Sequence, residues 1–220
     1  MNECRLTYRG SLKALAGSGT TLGFVTEHNE GQATALYRFE VEKQTLNEIP
    51  LPSGAVALLA DGDDFWIAGN EAGLFHAPAG ASSVKTLETG FTEQIIALAR
   101  LSNQRLAVLS ENLLGIIDTS GGALLRTIEL EARGTAMAAD PTGDWLAVGN
   151  HHGAITVFEA EGRDTFERSE SGKLHEGAVT AMVFEPEELR FFSAGADGRF
   201  LLTHARGTLE PEDRGRSHGH

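Results

Sequence analysis

Short apolar runs separated by polar turns extend along the whole chain. Ala55 to Leu59, Ile95 to Ala99 and Val179 to Phe184 are such runs, and the segments between runs are rich in Gly, Asn and Asp. Apolar and polar side chains alternate in Ala154 to Glu159 and in Arg199 to His204, as they do in a strand with two unlike faces. No segment carries a long apolar period of about 3.6 residues, which an amphipathic helix would require. The pattern therefore predicts an all-β chain of short strands.

The runs and turns repeat at a nearly constant spacing. Thr135 to Asn150 aligns without a gap with Ala55 to Asn70, at an offset of 80 residues. Three further copies are Leu12 to Glu27, Ile95 to Ser110 and Thr180 to Gly195. The glycines that follow the second polar turn, Gly31, Gly73, Gly153 and Gly198, give a mean spacing of about 42 residues.

Each repeat unit predicts a four-stranded antiparallel sheet. The units cover approximately residues 11–52, 53–90, 91–132, 133–177 and 178–220. A unit contains three apolar runs, and a more polar fourth strand is visible at Leu124 to Leu130. Four short strands in about 42 residues is the design of a β-propeller blade. We therefore expect an all-β fold, a β-propeller of about five blades that forms one domain or part of one. A β-sandwich or a leucine-rich repeat fits this period less well.

Charge and cysteine content narrow the possible partners and location. The chain has 18 Lys and Arg against 31 Asp and Glu, a formal net charge of −13. Phosphate backbones and anionic lipid would repel such a surface, so nucleic acid and membranes are not expected partners. Cys4 is the single cysteine, so no intrachain disulfide can form, and the N-terminus lacks the apolar core of a signal peptide. These features predict a soluble, cytoplasmic protein.

The fifth unit carries the clearest resemblance to a known family. His175 to His204 reads HEGAVTAMVFEPEELRFFSAGADGRFLLTH and resembles a Trp-Asp (WD) repeat, whose histidine, Ser or Thr, Asp and Trp form a hydrogen-bonded set. By position, His175, Ser193 and Asp197 match the first three members. Thr203 and His204 stand where the family has Trp and Asp, so the set cannot close here. The resemblance implies a structural role for this set, and a non-enzymatic propeller that serves as a platform for other proteins.

Turns between the second and third strands of the units are the predicted partner-binding positions. On a propeller such turns line one face, and here they are polar and mildly acidic. The partner is therefore expected to be a protein with a basic surface. The candidate residues are His28, Glu30, Asn70, Glu71, Glu111, Asn112, Asn150, His151 and His152. Charge reversal at Glu71 and Glu111 is predicted to slow association.

Candidate chemistry elsewhere is explained more simply by turns and packing. His151 and His152 are adjacent, and adjacent side chains in a tight turn are expected to diverge, so a solvated turn tip is favoured over a metal site. Asp61, Asp63 and Asp64 fit a hairpin turn better than a calcium loop. We therefore predict no catalytic residue, cofactor or metal. The alternative is a hydrolase or ligand-sensing propeller with a metal or small-molecule site on its loop face.

The number of blades raises the question of ring closure. Five units fill the chain, and a sixth would begin at Gly219 and His220. We expect an incomplete ring that is completed by further blades of a longer native chain or by a partner. Cys4 to Gly10 is predicted to be an outer strand that pairs with a distant blade. In the alternative, a closed five-bladed ring, Arg5 to Arg9 pairs with Arg199 to His204.

Overall fold

The computed structural model describes residues 11–27, 35–52, 54–70, 73–160 and 166–216. All regular elements in these residues are β-strands, which form five sheets of four antiparallel strands. Among the same residues there is no helix with the length and hydropathy needed to cross a membrane. The prediction of an all-β, blade-based propeller-like fold is confirmed. The chain divides into two compact units, Met1–Leu87 (unit 1) and Glu88–His220 (unit 2), which are described separately.

Unit 1 contains the first two sheets. Blade 1 consists of β1 (Ser11–Ser18), β2 (Thr21–Glu27), β3 (Ala35–Glu40) and β4 (Thr45–Pro50). Blade 2 consists of β5 (Ala55–Asp61), β6 (Asp64–Gly69), β7 (Leu74–Ala77) and β8 (Lys85–Leu87). In both sheets the spatial order follows the sequence order, so every connection joins neighbouring antiparallel strands.

Unit 2 contains three sheets with the same up-and-down order. Blade 3 consists of β9 (Ala97–Leu101), β10 (Arg105–Leu109), β11 (Leu113–Asp118) and β12 (Leu124–Glu129). Blade 4 consists of β13 (Gly134–Ala139), β14 (Trp145–Asn150), β15 (Ala154–Ala160) and β16 (Phe166–Lys173). Blade 5 consists of β17 (Val179–Phe184), β18 (Arg190–Gly195), β19 (Arg199–His204) and β20 (Pro211–Arg216).

Within each unit the hydrophobic core lies between neighbouring blades rather than inside any one sheet. Blade 4 shows this on both faces, because successive side chains of a strand point to opposite sides. Val148 and Phe158 pack with residues of blade 3, including Ile116. On the other face, Ala147 and Val157 pack in one cluster with residues of blade 5. In unit 1 an equivalent cluster joins Val25 and Leu36 of blade 1 to Phe65 and Ile67 of blade 2. A strand of a blade that lies between two other blades is therefore apolar on both faces.

The hairpin between the first and second strands corrects the gapless repeat alignment. In blade 2, Asp61 pairs with Asp64 across a two-residue turn. In blade 4, the Asp140 amide donates to the Trp145 carbonyl across a four-residue turn, at 3.0 Å. The offset is therefore 79 residues before the turn (140 − 61) and 81 after it (145 − 64). The single offset of 80 is wrong by one residue on each side, and Phe65 corresponds to Leu146 rather than to Trp145.

The last sheet supplies its own fourth strand. β20 pairs with β19, with Glu212 opposite Leu202 and Asp213 opposite Leu201. The outer strand predicted at Cys4 to Gly10 and the sixth unit predicted to begin at Gly219 and His220 lie outside the described residues.

Candidate functional site

The turns between the second and third strands of unit 2 lie side by side. They comprise residues 110–112 in blade 3, 151–153 with Asn150 at the end of β14 in blade 4, and 196–198 in blade 5. Together with Glu93, Arg133 and His175 in the loops that lead into the three blades, they are termed the turn surface. Of the predicted partner-binding residues, Glu111, Asn112, His151 and His152 are exposed here and Asn150 is half-buried, while Asn70 is exposed in unit 1. His28, Glu30 and Glu71 lie outside the described residues.

In blade 3 a glutamate from the lead-in loop fixes the turn. The Glu93 carboxylate accepts a hydrogen bond from the Ser110 hydroxyl at 2.5 Å and from the Asn112 amide at 3.3 Å. Ser110 is buried, and its Oγ also accepts from the Leu113 amide at 2.9 Å. Hydrogen bonds to a charged group are stronger than neutral ones. The turn is therefore stabilised by Glu93 of the lead-in loop as well as by hydrogen bonds among its own residues.

Backbone hydrogen bonds connect the blade 3 turn to the loop that leads into blade 4. The Glu111 carbonyl accepts from the Gly134 amide, and the Asn112 carbonyl accepts from the Leu130 amide, both at 2.8 Å. The Arg133 guanidinium also lies 2.5 Å from the Glu111 carboxylate, with both side chains largely in solvent. Such an exposed ion pair contributes at most about 1 kcal/mol. Its main effect is to place one positive and one negative charge at fixed positions on the turn surface.

In blade 4 the turn is closed by its own asparagine. Asn150 Oδ1 accepts hydrogen bonds from the amides of His152, at 2.9 Å, and Ala154, at 3.1 Å. The His151 amide donates to the Arg133 carbonyl at 3.0 Å, which ties this turn to its lead-in loop. The side chains of His151 and His152 are exposed, and His151 Nδ1 lies 3.4 Å from the Arg133 carbonyl oxygen.

The two adjacent histidine rings do not diverge, contrary to the sequence argument. Their centroids are 3.7 Å apart and the ring planes are inclined by 39°. The Gly153 amide donates to the Asn150 carbonyl at 3.2 Å, so the backbone turns tightly between them, and the two rings lie close together within this turn. Within the residues that the structure describes, however, no group of three or more His, Cys, Asp or Glu side chains is arranged to hold a metal ion.

In blade 5 the structure brings together the three residues that resemble the WD set. His175 is buried, with Nδ1 3.0 Å from Asp197 Oδ1 and Nε2 2.9 Å from Ser193 Oγ. In the neutral imidazole, Nδ1–H donates to the carboxylate and Nε2 accepts from the Ser193 hydroxyl. The fourth position is occupied by Thr203, which is buried and whose hydroxyl has no hydrogen-bond partner within the described residues. The set therefore ends at Ser193.

Asp197 is the electrostatic centre of this set. Burial alone would raise the pKa of its carboxyl group. Hydrogen bonds from the amides of Glu176, at 2.9 Å, and Arg199, at 3.0 Å, together with His175, outweigh burial. The net result lowers the pKa of Asp197 from 3.8 to about 2. The carboxylate is thus held ionised at the tip of the blade 5 turn and fixes two backbone segments, the lead-in loop at Glu176 and the start of β19 at Arg199.

Gly153 joins the blade 4 turn to the lead-in loop of blade 5. Its carbonyl accepts from the amides of Leu174 and His175, both at 3.0 Å. Its backbone has φ +87°, and a Cβ atom at this position would overlap the His175 carbonyl oxygen. Only glycine combines this conformation with so close a backbone approach. The three turns of unit 2 therefore form one continuous hydrogen-bonded surface from Glu93 to Asp197.

A groove between blades 3 and 4 opens beside this surface. Its volume is about 470 Å³, and Asn150 and Ala154 line it at the turn surface. Val148, Phe158 and Phe166 provide an apolar floor. Charged side chains of β12, β16 and the lead-in loop of blade 4 line the remainder: Arg126, Glu129, Glu131, Glu167 and Arg168. Arg168 and Glu131 form an ion pair across the groove.

Arginine–aromatic contacts also connect neighbouring blades of unit 2. Arg105 of blade 3 lies 5.0 Å from the ring centre of Phe166 in blade 4, and Arg206 lies 5.2 Å from that of Trp145. Arg105 is buried, so its contact contributes up to about 2 kcal/mol, whereas Arg206 is largely exposed and its contact contributes about 0.5–1 kcal/mol. Sequence reasoning missed these pairs and the groove. The only local signal was a phenylalanine, Phe166, at the start of an otherwise polar outer strand.

Blade 2 in unit 1 has a different polar contact set. His76 Nε2 lies 2.8 Å from Asp64 Oδ2, and the His76 ring stacks on Trp66 with centroids 4.0 Å apart and planes inclined by 9°. Asp64 Oδ1 accepts from the Ala79 amide at 2.7 Å. Asp64 therefore ends the predicted hairpin turn and also anchors the segment that follows β7.

Comparisons with known proteins bear on the fold alone. No protein-family model matches the chain, and a comparison with curated proteins gives no sequence match. The computationally designed Ika8 protein is similar in structure, with 20% identity and a TM-score of 0.74, over 94% of this chain and 63% of that chain. Hydrazine synthase of Kuenenia stuttgartiensis is similar with 14% identity and a TM-score of 0.69, over 88% of this chain and 64% of that chain. The chain thus spans less than two thirds of either structure and shares with both a blade-based β fold.

Proposed function

We propose that the chain is a non-enzymatic propeller-like scaffold that binds another protein through the turn surface of unit 2. The observation that carries this proposal is the continuous frame of hydrogen bonds beneath the exposed turns. Glu93, Asn150 and Asp197 each fix one turn from below, while Glu111 and the two histidines extend into solvent. A surface whose backbone is already ordered loses little conformational entropy when a partner binds.

The groove beside the turn surface supplies the apolar part of the proposed interface. Protein interfaces combine a desolvated apolar centre with a polar rim. The floor formed by Val148, Phe158 and Phe166 is apolar, and the charged side chains around it include three glutamates and two arginines. An apolar side chain of the partner would enter the groove, while basic residues beside it would meet Glu111 on the turn surface and the acidic chain as a whole.

The WD-repeat relationship and the cytoplasmic location are parts of the same proposal. The relationship is supported by the geometry of His175, Ser193 and Asp197, which matches the first three members of the WD set. The location is supported by the single cysteine, which leaves no intrachain disulfide of the kind common in oxidising compartments.

Capture of partners on the purified chain, followed by mass spectrometry, tests whether a specific protein binds. The site is then tested with two variants that change charge equally. Glu111→Lys alters the turn surface, and Glu187→Lys alters an exposed glutamate at the first-to-second-strand turn of blade 5. We expect Glu111→Lys to slow association with a basic partner and to reduce its salt dependence, with little effect from Glu187→Lys.

A groove variant completes the test. Thr156 lines the groove, and Thr156→Arg would place a long charged side chain over its apolar floor. This substitution is expected to weaken binding mainly through faster dissociation. Equal effects of Glu111→Lys and Glu187→Lys, together with unchanged binding by Thr156→Arg, would place the interface elsewhere.

A further inference from the structure

Blade 5 presents an apolar face on the side opposite blade 4. Phe191 and Leu201 point toward blade 4 and belong to the core shared with it. Their neighbours on the strands therefore point the other way. The strand register arranges these neighbours in two rows across the sheet: Val183, Phe192 and Leu202, and then Ala181, Ala194 and Phe200. Val183 is 58% exposed and Phe200 is 42% exposed, and the rings of Phe192 and Phe200 stack at 5.2 Å.

The repeat shows what a face of this kind contacts elsewhere in the chain. The corresponding row of blade 4 is Ala138, Ala147 and Val157, which occupies the same three strands in the same register. In blade 4 this row is buried in the core shared with blade 5. The outward face of blade 5 therefore has the composition and geometry of a surface that packs against a following blade.

Blade 1 presents the complementary kind of face. Val25 and Leu36 point toward blade 2, so Phe24 and Tyr37 lie on the opposite side, where their rings stack at 5.2 Å and are already buried, and the exposed part of this face is formed by β1. Leu15 pairs with Phe24 and lies on this outward side, 58% exposed. Leu12, opposite Thr26, is 59% exposed on the same side. In blade 4 the equivalent side, with Leu146 and Phe158, packs against the preceding blade.

We propose that the outward face of blade 5 docks on the outward face of blade 1 of a second copy of this chain. Each copy carries both halves of the contact that already joins blades 1 and 2, 3 and 4, and 4 and 5. Because the two halves are different surfaces, the contact is heterologous (head-to-tail) rather than isologous. Contiguous exposed apolar side chains such as Val183 and Phe200 are uncommon on monomers, and burying them provides the driving force.

Two variants test this proposal, each with glutamates placed on one of the two apolar faces. Val183→Glu/Phe200→Glu blocks the blade 5 face, and Leu12→Glu/Leu15→Glu blocks the blade 1 face. Sedimentation equilibrium over a concentration series should show association of the unaltered chain. Each blocked variant alone should associate at least about tenfold more weakly. An equimolar mixture of the two variants should form dimers and nothing larger, because one intact face of each kind remains. Val41→Glu, at an exposed apolar residue in the turn between β3 and β4, is the matched control and should associate like the unaltered chain.

Several outcomes would overturn the proposal. These are an unaltered chain that stays monomeric throughout the series, a blocked variant that associates as strongly as the control, or a mixture that remains monomeric. Circular dichroism establishes that each variant keeps its strand content. If a glutamate variant unfolds, threonine takes the place of glutamate at the same exposed positions, as Val183→Thr/Phe200→Thr and Leu12→Thr/Leu15→Thr. The outcomes of the mixing experiment are then judged in the same way.

Discussion

Blades 4 and 5 hold the same turn by different chemistry. In blade 4 the side chain of Asn150 accepts from amides two and four residues ahead, so the side-chain contact of this turn is local, and only backbone hydrogen bonds join the turn to the neighbouring loops. In blade 5 the turn residue Asp197 binds His175, which lies 22 residues earlier in the chain. A local contact can form whenever the turn forms, whereas the distant contact requires the lead-in loop and β18 to be in place. The WD-like set therefore couples the blade 5 turn to the rest of its blade.

Blade 3 is intermediate between these two cases. Glu93 reaches Ser110 from 17 residues earlier, but the Ser110 hydroxyl also accepts from the nearby Leu113 amide. Comparison of the three blades indicates that a histidine is not required at the lead-in position. What recurs is a polar contact between the lead-in loop and the second-to-third turn, made by a side chain in blades 3 and 5 and by the Arg133 carbonyl in blade 4. Because the turns are held by different contacts, substitutions in them are expected to lower the free energy of unfolding by different amounts.

The largest effect is expected from His175→Ala. The substitution opens a cavity at a buried site. It also removes the two hydrogen bonds of the His175 ring, one to Asp197 and one to Ser193. We expect the free energy of unfolding to fall by about 2–4 kcal/mol, since a buried charged group then loses a hydrogen bond. Urea unfolding followed by circular dichroism measures this change. His152→Ala, in the exposed turn of blade 4, is the matched control and should change stability by no more than about 0.5 kcal/mol. Similar losses of unfolding free energy in both variants would show that the blade 5 turn does not depend on its distant contact more than the blade 4 turn does.

A smaller effect is expected from acid, acting through Asp197. Its pKa falls from 3.8 to about 2 on folding, so its contribution is fully present above pH 3.8 and is lost as the pH falls toward 2. A shift of this size corresponds to roughly 2 kcal/mol. We expect Asp197→Asn to be less stable than the unaltered chain at pH 7, and the gap to narrow as the pH falls from 4 to 2. Urea unfolding of both proteins at several pH values measures the gap. A gap independent of pH would show that the carboxylate charge is not the source of stability.

The blade fold was predictable from the sequence, whereas the groove and the contacts between blades were not. Strand alternation in Ala154 to Glu159 and the repeat spacing are local signals, and they identify four-stranded blades. Arg105 over Phe166 joins residues of different blades, so it depends on how the two sheets pack, which no local pattern reports. The two-residue and four-residue hairpins at Asp61 and Asp140 also escaped the gapless alignment. A small change in turn length leaves the apolar pattern nearly intact while it shifts the register of the following strand.

The His175–Asp197 contact was predictable only through a family resemblance. Its residues are separated by a complete hairpin, and nothing in their immediate surroundings distinguishes His175 from the exposed His152. Burial of His175 follows from the tertiary packing of the lead-in loop. The close approach of the His151 and His152 rings was missed because adjacent side chains in a tight turn were expected to diverge.

The smallest effect is expected from Asn150→Ala, which tests the local side of the comparison. The substitution removes the acceptor for the amides of His152 and Ala154. Because this turn lies at the surface, water can replace most of what is lost, and we expect a decrease of about 0.5–1 kcal/mol in the free energy of unfolding. Asn150→Asp keeps an oxygen acceptor in the same place and should retain most of the stability. Urea unfolding of the two variants beside the unaltered chain measures the difference. A loss from Asn150→Ala as large as that from His175→Ala would show that the blade 4 turn, too, depends on contacts beyond its own residues.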